Sequence, residues 1–405
     1  MEYNISELAS LPIEVIDGDR GKNYPHQDEL LDEGSCLFLS ATNVTKKGFV
    51  FDDTVFISEE KDRALRNGKL NRGDIVITTR GTVGNVAFYD QTVPYDQVRI
   101  NSGMLIIRCH DGIEAGYLYY VLRGKDFQNQ IKQMQSGSAQ PQLPKSHFVK
   151  MKIPVPSLDE QKHISQVLTT FERNIQNMNQ INRNLETQLS TLYKAWFIDF
   201  INCDQQYDHA SDIDFIPDGW QNTVLGKVTV NVRDRVGEND YTVLSAVRTG
   251  HLKPSNEYFS KQVFSKDIGK YIVVKEGDFA YNPARINIGS IGINDLGFIG
   301  CVSPVYVVFH VDETYSLFFQ QFFKTKKFND EVILRASGSV RQSLNYNEFG
   351  MIPVIYPPKN VAEEYNKLCF PIIHSIKKNS EIVVQLEYLR DTVAQDLLST
   401  QGLTN

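Results

Sequence analysis

The chain has 405 residues, 41% hydrophobic and 22% charged, an ordinary globular balance with room for two or three domains. No apolar run approaches the ~20 residues that span a bilayer, and the opening Met1-Glu-Tyr-Asn-Ile-Ser lacks the charged and apolar regions of a signal peptide. The net charge of -7 excludes nucleic-acid binding by bulk charge, so any DNA contact must be a local patch or depend on partners.

In chain order, residues 1–156 form a first unit dense in short β-type runs, such as Ile75-Val-Ile-Thr-Thr79 and Met104-Leu-Ile-Ile-Arg108, separated by Gly, Asn and Asp turns. Gly116 to Met134 reads as one helix with Leu118, Val121, Leu122 and Ile131 on one side. A long helix occupies 157–201, entered through a Ser157/Glu160 capping box and without Pro or Gly as far as Phe200. Its seam runs Ile164, Leu168, Phe171, Ile175, Met178, Leu185, Leu189, Leu192 and Trp196, a heptad pattern broken once by Asn182. At about 1.5 Å per residue it would be on the order of 60 Å long, too long for one compact domain to cover. A polar linker follows at 202–215. The second unit spans 216–357, with strands expected around Val224, Val228, Val230 and Val232, at Tyr271 to Val274 and at Val305 to Phe309, and a helix over Leu317 to Lys327.

A second long helix, 358–405, ends the chain, with Asn360 and Glu363 as its cap and Gly402 as its stop. Adding 201 to the first seam gives Tyr365, Cys369, Ile372, Ile376, Asn379, Leu386, Val393 and Leu397 or Leu398; Val383 stands against Asn182, and Arg390 breaks the pattern. The approaches match as well: Ser136-Gly-Ser…Leu143 against Ser337-Gly-Ser…Leu344, Phe148 against Phe349, Pro156 against Pro357. Arg72-Gly-Asp-Ile75 echoes Glu276-Gly-Asp-Phe279 at an offset of 204. The chain is an internal duplication whose period is half its length. The packing residues of the helix pair are then Phe171, Ile175, Leu185 and Leu192 on one side and Ile372, Ile376, Leu386 and Val393 on the other.

Catalytic signatures are missing. There is no Gly-x-Gly-x-x-Gly or Walker loop, and Asn282-Pro-Ala-Arg285 and Tyr356-Pro-Pro-Lys359 do not fit the Asn/Asp-Pro-Pro-Tyr/Phe motif of adenine methyltransferases. Asp53 with Glu59-Glu60-Lys61 has a nuclease-like order, but such a run more commonly opens a solvated helix. None of the eight histidines has metal-ligand spacing, and the five cysteines are scattered with no Cys-x-x-Cys, which fits reduced thiols in a cytoplasmic protein without metal.

Binding signals are richer. Asp17-Gly-Asp-Arg20-Gly-Lys22-Asn-Tyr24 is a glycine turn presenting Arg20 and Lys22, and Thr78 to Asn85 presents Arg80 and Thr82 beside glycines that allow close backbone approach. Asn43, Arg99 and Asn101, and Gln140 in the stretch Ser136 to Gln142, complete the first set. The second unit offers Arg233 and Arg235, Arg248, Asn282 with Arg285, and Arg341. Arg reads guanine bidentately, Asn and Gln read adenine, and hydroxyls anchor phosphates. Any single loop fits an ordinary turn or a structural Arg–carboxylate pair equally well. Four in each of two related units point to DNA.

At this point the chain resembles the specificity subunit of type I restriction-modification systems over essentially its whole length. The resemblance rests on the order of parts: a globular unit, then Pro154-x-Pro-x-Leu-x-Glu-Gln161 entering a long helix that ends Ala195-Trp196-Phe197. A second unit opening Ile216-Pro-Asp-Gly-Trp220 and a second long helix follow. In the second half Lys359 to Glu364 lacks the Leu-x-Glu-Gln entry, and Arg285 stands where the first half has Gly81. The resemblance implies an α+β fold. Two similar target recognition domains are related by pseudo-twofold symmetry and separated by two long antiparallel helices forming a coiled coil. It implies that each domain reads one half of a split, asymmetric double-stranded DNA target, with the helices as a ruler. Two modification (methyltransferase) subunits would dock on the chain, and restriction/translocase subunits would complete the complex. S-adenosylmethionine, ATP and Mg would then sit on the partners, and this chain would be non-catalytic, with no cofactor, no metal and no membrane contact. The alternative is a stand-alone sequence-specific DNA-binding regulator, which would need a self-sufficient basic surface that a charge of -7 does not suggest.

Overall fold

The computed structural model describes residues 4–135, 141–201, 216–258, 264–265, 267–336 and 343–398. The chain forms two compact units, Met1–Asn179 with Glu381–Asn405, and Gln180–Ser380. Each combines one α+β domain with part of both long helices.

The first unit is built on an antiparallel sheet in the order Ile13–Asp17, Met104–Cys109, Ile75–Thr78, Val86–Phe88. Its central strands are continuous apolar runs because both faces are covered. Ile75, Ile77, Leu105 and Ile107 face a cluster with the helices, whereas Val76, Ala87, Met104 and Ile106 face the other way, onto Leu37, Leu39, Val98 and Ile100. Those four belong to a smaller sheet in which Cys36–Leu39 and Val98–Ile100 pair in parallel. Asn4–Glu7 pairs with Lys152–Val155 and ties the start of the domain to the entry of the long helix. The single helix expected over 116–134 is two helices, Ala115–Arg123 and Lys125–Gln135, because Gly124 between them is extended (ψ 151).

The second unit repeats this plan. Its sheet runs Val230–Val232, Val307–His310, Phe279–Tyr281, Ile291–Ile293, and Gln221–Val224 pairs with Pro353–Tyr356. Its smaller sheet again holds one parallel pair, Thr242–Ala246 with Gly300–Val302. Two corrections apply here. Val228 closes a short helical turn, Leu225–Val228, and is not in a strand. The helix expected over 317–327 is again two, Ser316–Phe322 and Lys326–Arg335, split where the Thr325 hydroxyl accepts the Phe328 N–H (3.2 Å).

Individual hydrogen bonds recur too. Leu143 N–H reaches the Thr79 carbonyl (3.0 Å) and Leu344 N–H the Pro283 carbonyl (3.1 Å). Asp74 accepts from Asn71 N–H (2.7 Å) and Asp278 from Lys275 N–H (2.9 Å). The duplication is one of structure down to single turns.

The long helices are Leu158–Phe197 and Lys359–Leu398, 40 residues each, so about 60 Å at ~1.5 Å per residue. Ser157 Oγ accepts Glu160 N–H (3.4 Å) at the first cap. The second helix starts two residues earlier than its expected cap implies: Pro358 carbonyl takes the N–H groups of Val361 and Ala362, so Asn360 lies inside the first turn. Gly402 lies outside the described residues. Pro371 is tolerated inside this helix on a solvent-facing side.

Within the first unit, Ile164 and Leu168 pack with Val393, Ala394, Leu397 and Leu398, and Ile175 is buried, while Phe171 and Leu386 are half-buried. The seam-breaking Arg390 is neutralised there by Glu172 (3.1 Å). Within the second unit, Trp196 and Phe197 meet Tyr365 with ring centroids 6.0 and 4.8 Å apart. Leu192, Ile372 and Ile376 pack on the same cluster, and Leu185 is half-buried. Asn182 accepts from Asn379 (2.9 Å) and donates to Ser380 Oγ (3.2 Å). Rising numbers on one helix meet falling numbers on the other in each unit, so the paired segments are antiparallel.

Candidate nucleic-acid interface

In the first unit, the turn after Ile13–Asp17 is set by close approach: a Cβ on Gly18 would strike the Asn101 carbonyl oxygen. Asp19 is buried and accepts the N–H groups of Gly21 and Arg66, both at 2.7 Å. Burial pushes its carboxyl up, but these backbone hydrogen bonds outweigh it and hold the pKa below the ordinary value. With Asp19 turned inward, Arg20 and Lys22 are presented to solvent. Arg20 reaches Ser102 carbonyl (3.3 Å), Asn101 Oδ1 accepts Gly103 N–H (2.8 Å), and Gly103 carbonyl accepts Thr79 and Arg80 N–H (2.7 and 3.3 Å). Arg20, Asn101, Arg80 and, beside Gly81 at φ 72, Thr82 are thereby gathered on one loop cluster, with exposed Arg80 and Thr82 side chains. Leu143 hydrogen-bonds into the same cluster; Gln140 lies outside the described residues.

Two of the expected DNA contacts are placed elsewhere. Arg99 is buried, donating to Asp62 Oδ1 (2.8 Å), Asp62 carbonyl (2.9 Å) and Asn67 carbonyl (2.6 Å). Asn43 is buried as well, donating to Val50 and Asp53 carbonyls (3.1 and 2.7 Å) and accepting from Ser40 N–H (2.9 Å). Both hold loops together inside the domain, because their partners lie within it. Sequence reasoning in turn missed Arg66, exposed, with its guanidinium over Gly21. The Arg66-Asn-Gly68 turn carries the same Arg-and-Gly signal as the loops it joins.

In the second unit Arg233, Arg235, Arg248 and Arg285 are all exposed. Arg285 carbonyl accepts Ile288 and Ser290 N–H (both 3.1 Å), Asn282 Oδ1 accepts Ala284 N–H (3.1 Å), and Ser290 Oγ donates to Ala246 carbonyl (3.3 Å). These bonds bring Asn282, Arg285 and Arg248 onto adjoining loops. Arg233 and Arg235 follow a different strand, and among the described residues no hydrogen bond joins their side chains to that pair of loops; Arg341 lies outside the description. After the matching strand Val230–Val232 the chain runs Arg233-Asp-Arg235-Val-Gly237, with Arg235 bridged to Ile272 and Gly237 N–H on the Gly269 carbonyl (3.0 Å).

The run after Asp53 opens a short solvated helix, Glu59–Ala64, capped by Ser58. Among the described residues no group of three His, Cys, Asp or Glu side chains is placed to hold a metal, and no helix is long and apolar enough to cross a membrane. Burial pushes the thiols of Cys36 and Cys109 up to about 12 and those of Cys301 and Cys369 to about 11, so these four stay protonated and unreactive at neutral pH.

Arginines on glycine-rich loops above a rigid sheet, repeated with different residues on a second copy of the scaffold, define a duplicated recognition protein. Residues 6–187 match the family model described as Type I restriction modification DNA specificity domain. Over 379 residues, 88% of this chain and 85% of the relative, the sequence is 24% identical to the type I restriction enzyme MjaIX specificity subunit of Methanocaldococcus jannaschii. The putative type I restriction enzyme MjaX specificity subunit of the same organism is 27% identical over 196 residues, 46% of this chain and 43% of that protein. The fold is that of the crystal structure of the type I restriction-modification S subunit from M. genitalium, with a TM-score of 0.56 at 14% identity, covering 98% of this chain and 96% of that one. Residues 6–187 thus match a type I restriction-modification DNA specificity domain, and the chain is similar to type I specificity subunits along most of its length.

Proposed function

We propose that this chain is the DNA-specificity subunit of a type I restriction-modification complex, each unit reading one half of a split target. The observation that carries this is the recurrence of one scaffold, down to the Leu143–Thr79 and Leu344–Pro283 hydrogen bonds, under loops whose exposed residues differ. Same scaffold and different loops mean two unlike half-sites. In this reading two methyltransferase subunits dock on the chain, restriction/translocase subunits join them in the cytoplasm, and S-adenosylmethionine, ATP and Mg are held by those partners. The long helices fix the gap between the half-sites; removing one or two turns between Ile164 and Trp196, with the facing turns of the second helix, shortens that gap.

The test is to co-express the chain with its methyltransferase partner in a methylation-free host and map N6-methyladenine by single-molecule sequencing. A split motif with two unlike halves is expected. A stable complex that methylates no defined motif would overturn the reading.

A further inference from the structure

The break between the two short helices closes differently in the two units. In the first, Arg123 is fully engaged: it donates to Glu172 (3.2 Å), Tyr119 OH (2.7 Å) and Lys46 carbonyl (3.1 Å). Gln128 seals the loop beside it by donating to Gly84 and Leu122 carbonyls (2.9 and 2.8 Å). In the second unit the corresponding residues are Lys324 and Asn329, and the space is open, a cavity of about 300 Å³. Arg248 and Lys324 line it, with Asn287, Gly289 and Thr325. Among the described residues neither cationic side chain forms a hydrogen bond or ion pair. The carboxylates that act on Lys324, Glu186 and Asp295, do so from beyond ion-pair distance; Lys324 remains exposed, and partial desolvation by the walls holds its pKa below the ordinary value. The N-terminus of the ten-residue helix Lys326–Arg335 opens at Thr325, adding the partial positive charge of its first N–H groups. Gly289 (φ 85) leaves the floor free of a Cβ.

Two unpaired cations, amide side chains and a helix N-terminus around one cavity form a site for a tetrahedral oxyanion. The cavity adjoins the loops that carry Arg248, Asn282 and Arg285. We propose that this cavity seats a backbone phosphate of the target DNA, with Lys324 and Arg248 as its ligands, and that the first unit has no such seat because Arg123 is paired with Glu172. This rests on the DNA-specificity reading above. A phosphate contact fixes register without reading bases, so Lys324 sets how firmly one half-site is held rather than which sequence is chosen.

The experiment measures acylation of Lys324 by mass spectrometry in the intact complex with the methyltransferase, at matched ionic strength. Three conditions are compared: no addition, duplex DNA carrying the methylated motif, and inorganic phosphate. DNA is expected to protect Lys324 while leaving Lys327, outside the cavity, unchanged. Protection by inorganic phosphate but not by DNA would assign the site to a free anion and overturn the proposal, as would no protection at all. In parallel, K324Q is expected to lower the slope of log K against log salt by about 0.9, the value of one phosphate contact, with the methylated motif unchanged. An unchanged slope, or a changed motif, would overturn it. A wild-type complex that methylates no motif would instead defeat the underlying reading, and the inorganic-phosphate arm would still judge the cavity.

Discussion

The two units solve the same packing problem with opposite chemistry. Behind the parallel pair of the small sheet, the first unit buries Arg99 against Asp62, with side chains 4% and 9% exposed, and adds Lys69 at 2.5 Å. At the matching place the second unit buries Val236, Val243, Tyr271, Val273 and Cys301, with Cys301 at the Arg99 position of the ladder. A buried ion pair recovers its desolvation cost only through complete hydrogen bonding, whereas an apolar cluster has no such cost and no such demand. One backbone plan therefore accepts either a polar or an apolar centre, provided each is internally complete.

The largest effect should come from breaking the ion pair. Arg99→Ala leaves buried Asp62 with Lys69 in place of two cations and should cost the first unit roughly 3 kcal/mol, whereas replacing both residues by Leu and Met should recover most of that loss. Both tryptophans, Trp196 and Trp220, lie in Gln180–Ser380, so fluorescence follows the second unit alone. A urea transition seen by circular dichroism but not by tryptophan fluorescence isolates the first. If Arg99→Ala moved the fluorescence transition and left the other in place, the comparison would be broken.

Acid should separate the units next. Burial raises the Asp62 pKa, but hydrogen bonds from Lys69 and Arg99 outweigh it and hold the pKa below its ordinary value. A depressed folded pKa gives stability that is present above the unfolded value, about 3.9, and lost as pH falls through the folded one. Asp19 and Glu29 are depressed in the same unit, Glu29 by hydrogen bonding from Lys61; in the second unit Asp312 is depressed by the Thr314 N–H and hydroxyl. Below about pH 4 the first unit should open before the tryptophan signal changes, and simultaneous loss would count against the contrast.

A smaller difference lies at the duplicated Asp turn. Asp74 is held by two donors of Arg108 (3.0 and 2.8 Å), Asp278 by one nitrogen of His310 (2.9 Å). Arg108→Ala should cost about 1.5–3 kcal/mol and His310→Ala nearer ~1, since His310 is half-exposed. Equal losses in paired denaturation experiments would show that the second donor contributes nothing. The smallest change is expected for Asn182→Val, which copies the Val383 of the other helix. Stability should shift by under ~1 kcal/mol while the helices lose a register mark, read as altered cross-linking of cysteines placed along the seam.

Much of this was legible in the sequence because it is periodic or local. The leucine and isoleucine spacing encodes two long helices, the 201-residue offset encodes the duplication, and the glycine turns locate the loops. What failed was also systematic. The apolar pattern reads straight through Gly124 and Thr325, yet the first break comes from the extended Gly124 and the second from the Thr325 cap, neither of which interrupts the spacing. Arg99 looked like the exposed arginines because nothing adjacent in sequence betrays it.

By itself, then, the sequence determined the architecture: strand and helix character, the repeat, and the arginine-bearing loops on it, all of which follow from spacings within a few residues or one fixed offset. Tertiary structure decided which cations are free to meet a ligand. Arg99 is spent because Asp62, 37 residues away, folds under it, and Arg123 because Glu172 lies 49 residues on. Lys324 is left open because no carboxylate comes within ion-pair distance of it among the described residues. A charge is a local property of a residue, but its partner is chosen by the fold, and partner choice separates a structural cation from a binding one.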